Sequence, residues 1–265
     1  MAPTYLDDIV AWHRSRAEDD HREWRDRIDS IRYDGPSMYE ALSSTKDPYV
    51  KVIAEVKRRS PSKGWIDEQL DPAELALSYL KGGATAISVL TDEPHFAGSR
   101  DDVKTVRTTV ELPVLRKDFT VSANDVIDTA EMGASTVLLI VAALGDDELR
   151  DFIAIARVCG LDALVEVHSD EEARRALDLG ATIIGVNQRD LHSFEVKPEH
   201  AASVISSLAS NVITVAESGM TSVDDVARAG AAGFHAVLVG ETFVRAANCE
   251  QLVHSFASVR RTSDD

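Results

Sequence analysis

The sequence predicts an α/β protein, a single (β/α)8 TIM barrel with an N-terminal helical extension. Three observations carry that expectation. Eight short, β-branched apolar runs recur from residue 50 onward, with starts roughly every 20 to 30 residues, the span of one βα unit. Amphipathic stretches with recognisable helix ends lie between them. No GxGxxG follows any run, whereas an open doubly wound sheet, the alternative, usually has fewer strands and carries that dinucleotide fingerprint. The length of 265 residues suits one such barrel, which takes about 250.

Residues 1–49 lie outside the repeat and are expected to form a helical extension packing on the barrel of residues 50–265, one domain overall. Leu6, Ile9, Val10 and His13 share a helical spacing, as do Trp24, Ile28 and Ile31. These residues read as one or two amphipathic helices whose charge is too mixed for a membrane helix. Such helices either cap the barrel or cover its active site, and the pattern leaves both open.

The eight runs are 50–56, 84–90, 113–116, 136–141, 163–167, 182–186, 212–216 and 236–239. Their near-continuous hydrophobicity suits parallel strands covered by helices. Between them, Asp71-Pro72 offers an N-cap and a first-turn proline, and Gly82-Gly83 a stop. Ser169 opens a helix that Gly180 closes. Ser222 with Asp225 resembles a capping box, and Gly230 is expected to end that helix.

Asp and Glu number 45 against 28 Lys and Arg, a net charge of −17. This balance disfavours nucleic acid and anionic membranes as partners. The longest apolar stretch, 136–144, is too short to span a bilayer, and the charge between residues 12 and 27 argues against a signal peptide. Cys159 and Cys249 sit in no metal or CxxC spacing and read as reduced thiols, so a cytoplasmic location is expected. Against the acidic background, residues 57–63 carry four basic groups and no acid, which marks an anion-site candidate.

In this fold the chemistry sits where strands end. The first run ends with Glu55 and Lys57, two apart and on one strand face, and the third with Lys117. The fifth ends with Glu166 and His168, the sixth with Asn187 and Arg189, and the seventh with Glu217. Three glutamates and two lysines facing one cavity suit acid–base work, because close charges push one another's pKa values toward neutrality. Ser218-Gly219 and Gly240-Glu241 follow the last two runs, where this fold commonly binds phosphate on backbone N–H groups. Phe96 and Phe119 serve either the core or an aromatic pocket. A metal at Glu166 and His168 is the rival reading, but no third ligand has supporting spacing and none is expected. A nucleophilic triad has no support: no GxSxG occurs and Ser218 has no evident histidine.

Five segments together resemble the signature of indole-3-glycerol phosphate synthases: residues 53–64 (IAEVKRRSPSKG), 112–119 (LPVLRKDF), 164–168 (LVEVH), 184–191 (IGVNQRDL) and 215–219 (VAESG). The resemblance runs from about residue 5 to the last helix. It implies a carboxy-lyase of tryptophan biosynthesis that converts 1-(2-carboxyphenylamino)-1-deoxyribulose 5-phosphate to indole-3-glycerol phosphate, carbon dioxide and water. By resemblance, Lys117 protonates the carbonyl oxygen, Glu166 assists dehydration, and Glu55 and Asn187 orient substrate and lysines. Lys57 binds an anionic group, and Arg189 and Glu217 complete the charged ring. Ser60 joins the substrate-binding set. Ser218, Gly219, Gly240 and Glu241, the last by its backbone, hold phosphate, and Phe96 and Phe119 contact the aromatic ring. Decarboxylation restores aromaticity, so no cofactor is implied.

Trp65 and Thr242 depart from the smaller or aliphatic residues expected at their positions. Trp65 is expected to affect loop closure, and Thr242 to add a hydroxyl to the phosphate site. The expected partner is an anionic, phosphorylated small molecule, and the expected state a monomer. Two other readings fit the glycines of the last loops, namely another phosphate-binding barrel isomerase and a non-catalytic barrel that binds a phosphorylated ligand.

Overall fold

A computed structural model of the chain describes residues 5–43, 47–61, 63–189, 196, 201, 203–205, 208 and 212–261. Ser62, Asp190 and Leu191, part of the segments quoted above, lie outside them. The eight apolar runs form eight parallel strands: β1 (Lys51–Val56), β2 (Ala86–Leu90), β3 (Val114–Lys117), β4 (Thr136–Ile140), β5 (Asp162–Val167), β6 (Ile183–Asn187), β7 (Ile213–Glu217) and β8 (Ala236–Val239). They close into a barrel in chain order. β1 seals it by pairing with both neighbours, Lys51 opposite Ala236 and Ile53 opposite Ala86.

Helices fully within the described residues include α1 (Tyr5–Glu18), α2 (Trp24–Ile28), α3 (Met38–Ser43), α4 (Pro72–Gly82), α5 (Glu93–Phe96), α6 (Arg100–Thr109), α7 (Ala123–Glu131), α8 (Asp146–Val158), α9 (Asp170–Asp178), α10 (Val223–Ala231), α11 (Glu241–Val244) and α12 (Cys249–Ala257). Their ends follow the side chains. Asp71 accepts from the N–H groups of Ala73 and Glu74, and Gly83, at φ +90°, stops α4. The Ser222–Asp225 capping box forms at the start of α10. Gly230 does not end that helix. It lies inside α10, where a Cβ would sit 2.8 Å from a Val50 methyl, so its smallness serves close packing. The stop is Gly233, at φ +97°.

One face of each strand points into the barrel, and its chemistry changes with height. At the base Ile53, Ala86, Leu115, Leu138, Leu164, Ile183, Ile213 and Ala236 form an apolar cluster with Met38 and Leu42 of α3. Helix α3, which residue spacing did not reveal because it is only six residues long, thus packs on the base of this inner core. Two or four residues further along the same faces come Glu55, Lys57, Lys117, Glu166, Asn187 and Glu217. The period-2 alternation of a strand carries each face from apolar base to polar mouth.

The first two helices are fastened by charge. In α1, Ile9 and His13 are buried, Arg14 pairs with Glu148 at 2.5 Å and Arg16 with Asp125 at 2.6 Å. Beyond it, Arg22 and Arg27 reach Asp128 on α7 at 2.9 and 2.5 Å, and Arg100 joins at 2.8 Å. Asp128 is fully buried. Burial works to raise its pKa, but hydrogen bonds from Arg22 and Arg27 and the charge of Arg100 outweigh it and hold the carboxyl well below its usual range.

Because the folded pKa lies below the unfolded one, this stabilisation is present above the usual carboxyl value and is lost as pH falls below it. Asp128→Ala removes the shared acceptor and leaves guanidinium groups unpaired. Urea unfolding at neutral pH is expected to show a loss of roughly 3 kcal/mol. A loss below about 0.5 kcal/mol, the scale of an ordinary surface change, would show that the cluster is not a fastening.

Candidate active site

The polar mouth of the barrel is a cavity of about 560 Å³. Fourteen residues singled out from the sequence line it: Glu55, Lys57, Ser60, Phe96, Lys117, Phe119, Glu166, Asn187, Arg189, Glu217, Ser218, Gly219, Gly240 and Glu241. They arrive from different strands because inward-facing positions at the strand ends converge on the barrel axis. Lys117, the last residue of β3, lies across from the last turns of β5 and β7. Its ammonium is 3.0 Å from Glu166 and 3.4 Å from Glu217. Beside this group Lys57 pairs with Glu55 at 2.6 Å. Asn187 donates its amide N–H to Glu166 at 3.0 Å, while its oxygen accepts from the Ser218 hydroxyl at 2.9 Å and the Arg189 backbone N–H at 3.1 Å.

The two carboxyls beside Lys117 differ in character. Burial and the charges of Glu166 and Glu55 push Glu217 up from its usual value, against the pull of Lys117. Burial also works to raise Glu166, but Lys117, the neighbouring His168 and the Asn187 amide outweigh it and lower its pKa. Desolvation of Lys117 is likewise outweighed by Glu166, Glu217 and Glu55, so its ammonium is retained. The resulting state is one ion pair, Lys117 with Glu166, next to a Glu217 that tends to hold a proton. Glycine at 185 makes room for it. A Cβ there would stand 2.0 Å from Glu217 Oε1, an atom with no hydrogen-bond partner among the described residues. Gly185 drew no attention in the sequence, since its role depends on a side chain from the next strand.

At one end of the cavity the chain leaves β7 through Ser218 and Gly219, both in the left-handed region at φ +68° and +79°. Gly240 leaves β8 with no side chain, and a Cβ on it would lie 2.5 Å from Glu55 and 3.1 Å from Lys57. Thr242 lines the cavity, but its hydroxyl proton is already engaged. The hydroxyl donates to the Met220 carbonyl at 2.7 Å and ties these two loops together. Glu241 accepts from Arg245 at 2.9 Å and pairs with Lys63 at 3.2 Å. Lys63 and Arg245 both line the cavity, and the sequence reading missed them as site residues. Lys63 was visible only as part of the basic island, and Arg245 lies a full helical turn beyond the glycine.

The island itself divides. Arg58 pairs with Asp102 and supports the scaffold, and Arg59 reaches the Pro94 carbonyl at 3.2 Å. Only Lys57 and Lys63 of the four line the cavity. Residues 59–60 and 64–65 form a short antiparallel ribbon. Trp65 at its tip is exposed, and its carbonyl accepts from Arg245 at 3.4 Å.

The other end is apolar. Phe96 and Phe119 lie with ring centroids 6.2 Å apart, next to Leu90, Leu138 and Ile140. Tyr5, Leu6 and Ile9 of α1 complete this wall, so the first helix does line the cavity as well as pack on the barrel. The cavity thus offers an aromatic end, a central lysine between carboxyls, and a cationic end with exposed backbone. His168 lies 3.5 Å from Glu166. Among the described residues, three metal-type side chains converge at His13, Asp92 and His95, and not at Glu166 and His168.

Comparison with known proteins shows the family. Residues 7–256 match the family described as indole-3-glycerol phosphate synthase. Two similar proteins carry that name. One from Arthrobacter sp. (strain FB24) is 44% identical over 263 residues, 96% of each chain. One from Acetivibrio thermocellus is 37% identical over 260 residues, 96% of this chain and 99% of its own. Among solved structures, thiamine phosphate pyrophosphorylase from Pyrococcus furiosus superposes with a TM-score of 0.59 at 18% identity, covering 80% of this chain and 96% of that one, a likeness of fold alone.

The raised pKa of Glu217 has a consequence for stability. A carboxyl that keeps its proton only when folded makes the native state bind more protons than the unfolded one above the usual carboxyl value of 4.5. Its contribution therefore falls as pH rises from there toward neutrality. Glu217→Gln, which mimics the protonated form, is expected to flatten that part of the stability–pH curve, measured by denaturant unfolding. An unchanged slope would mean that Glu217 is ionised in the native protein.

Proposed function

The chain belongs to the indole-3-glycerol phosphate synthase family, and from that membership we propose how the residues of its barrel mouth divide the family's reaction. The protein is an indole-3-glycerol phosphate synthase of tryptophan biosynthesis, a carboxy-lyase. It converts 1-(2-carboxyphenylamino)-1-deoxyribulose 5-phosphate to indole-3-glycerol phosphate, carbon dioxide and water. The observation that carries the assignment of roles is the position of Lys117, held between two carboxyls in a cavity lined by both aromatic and cationic side chains.

The substrate's benzoate ring takes the aromatic end beside Phe96 and Phe119, and its phosphate the other end. There the backbone at Ser218, Gly219, Gly240 and Glu241 meets the oxygens, and Lys57, Lys63 and Arg245 supply positive charge. Ser60 and Arg189 hold the remaining polar groups. Fixing both ends brings the ring carbon that bears the carboxylate against the ketone carbon, a gain from proximity. As the new carbon–carbon bond forms, the ketone oxygen gains negative charge and takes a proton from Lys117. The carboxylate then leaves as carbon dioxide, and its electron pair restores the aromatic ring. Finally the hydroxyl takes up a proton and departs as water while the carbon beside the nitrogen gives one up; Glu166 carries this exchange, which is proton-neutral, and solvent restores the proton of Lys117. Glu55 keeps Lys57 in place, and Asn187 orients Glu166. Glu217, disposed to carry a proton, lets Lys117 stay near a single charged partner rather than two.

The substrate is a small anionic molecule, and a net charge of −17 gives no support to nucleic acid as a partner. No helix among the described residues is long and apolar enough to cross a membrane. The reading extends to a monomer working in the cytoplasm, where Cys159 and Cys249 are free thiols.

Indole fluorescence after addition of the carboxyphenylamino-deoxyribulose phosphate tests the assignment. Wild-type protein is expected to form indole-3-glycerol phosphate without added metal. Lys117→Ala, checked for folding by circular dichroism, is expected to lose a factor of about 100 to 10,000 in kcat, the usual worth of a general acid. No turnover by folded wild type would refute the reaction, and an active Lys117→Ala would refute the role.

A further inference from the structure

His13, Asp92 and His95 lie behind the aromatic end of the cavity and take no part in the steps above. Asp92 is almost fully buried, and its two oxygens do different work. Oδ1 accepts from the backbone N–H groups of His95 at 2.7 Å and Phe96 at 3.1 Å, which fixes the turn of α5 that presents Phe96. Oδ2 accepts from His13 Nε2 at 2.8 Å and from His95 Nδ1 at 2.9 Å. An ionised carboxylate can only accept, so each ring donates an N–H at the named nitrogen. His13 belongs to α1, on the face that also buries Ile9, and its ring packs 5.3 Å from that of Phe119. One carboxylate therefore joins the helix that walls the cavity to the turn that carries an aromatic side of it.

We propose that His13, Asp92 and His95 form a positioning bracket that latches α1 over the aromatic end of the cavity and so sets how tightly the substrate's benzene ring is held. This rests on the reading of the cavity given above. Two observations favour a latch that opens and recloses over a permanent staple. Tyr5, Leu6 and Ile9 wall the space a ring would enter, so a movement of α1 changes the room and the contacts that the ring has there. The latch also holds at a cost, because His13 Nδ1 is buried with no hydrogen-bond partner among the described residues, a desolvation that opening relieves. The spacing is that of hydrogen bonds. Ligand atoms around a tetrahedral ion bound at about 2.05 Å stand roughly 3.3 Å apart, wider than both contacts here.

The test is steady-state kinetics in EDTA, with amide hydrogen exchange over residues 5–18, for wild type, His13→Ala, His95→Ala, His13→Gln and His95→Asn. His95 is partly exposed on a surface turn, so its variants do not depend on the core for folding. Both alanine variants are expected to raise KM about tenfold, the effect of losing a hydrogen bond to a charged group, with kcat changed less than about twofold. Exchange over residues 5–18 should quicken while the barrel strands stay protected. Gln at 13 and Asn at 95 place an amide N–H near the original donor and should restore most of the KM. An unchanged KM in both alanine variants, a fall in kcat alone, or failure of the amide variants to recover would overturn the bracket, as would loss of wild-type substrate affinity in EDTA. If wild type does not turn over the substrate at all, the reaction is wrong, and exchange over residues 5–18 still decides whether the bracket exists.

Discussion

The structure depends on keeping an ammonium group inside a barrel. Lys117 stands at the end of a strand whose other inward neighbour, Leu115, is part of a dry apolar core. Removing an amine from water costs several kcal/mol unless a counter-charge and hydrogen bonds replace the lost hydration. One carboxylate balances the charge, and here two carboxyls stand within 3.4 Å. The second cannot ionise freely beside the first without adding repulsion, so the pair separates into a low and a raised pKa. The asymmetry that acid–base chemistry needs thus follows from packing three charged groups into a space with counter-charge for two.

The same constraint explains how the barrel is layered. Charges at mid-height would have no water and too few partners, so the lower inner faces are aliphatic, with α3 packed against them. Charges appear only where the strands end and the cavity opens. Cross-linking the first residues to the barrel by arginine and histidine lets α1 lie along the mouth without its own large apolar face. Only Ile9 and His13 of its residues are buried, so the helix is held by directed polar contacts at several points. Such contacts can be released one at a time, which a continuous hydrophobic seam does not allow.

The barrel was legible in the sequence because its signal is local and repeated. Each strand announces itself by a β-branched run and each helix by its caps, and strand boundaries agree to within one or two residues. The charged ring was legible for the related reason that fold and strand end together fix where a side chain points. What escaped depends on partners distant in sequence. Gly185 matters through Glu217, and Asp92 through His13, 79 residues earlier. Gly230 looked like a helix stop because glycine usually is one, yet its neighbour Val50 came from the far end of the chain. Helix α3 escaped because six residues are too few for a 3.6-residue period to declare itself.

Charge counting shows the same limit. An island of four basic residues on a chain of net charge −17 reads as a positive patch. In the fold each member has a different partner, Lys57 with Glu55, Arg58 with Asp102, Arg59 on the Pro94 carbonyl, and Lys63 with Glu241. The cations that line the cavity are not bare, since Lys57, Lys63, Arg245 and Lys117 each stand beside a carboxylate. An anionic ligand therefore gains from them only what it can take over from those carboxylates. Near the rim the exchange costs little, because Lys63 and Arg245 are about half exposed and such pairs are worth about 1 kcal/mol or less. At the buried centre an added negative charge would be repelled by Glu166 at close range, and by Glu217 whenever that carboxyl is ionised. The proton that Glu217 tends to hold removes the second of these repulsions, so the raised pKa of that carboxyl lowers the cost of bringing an anion to the centre.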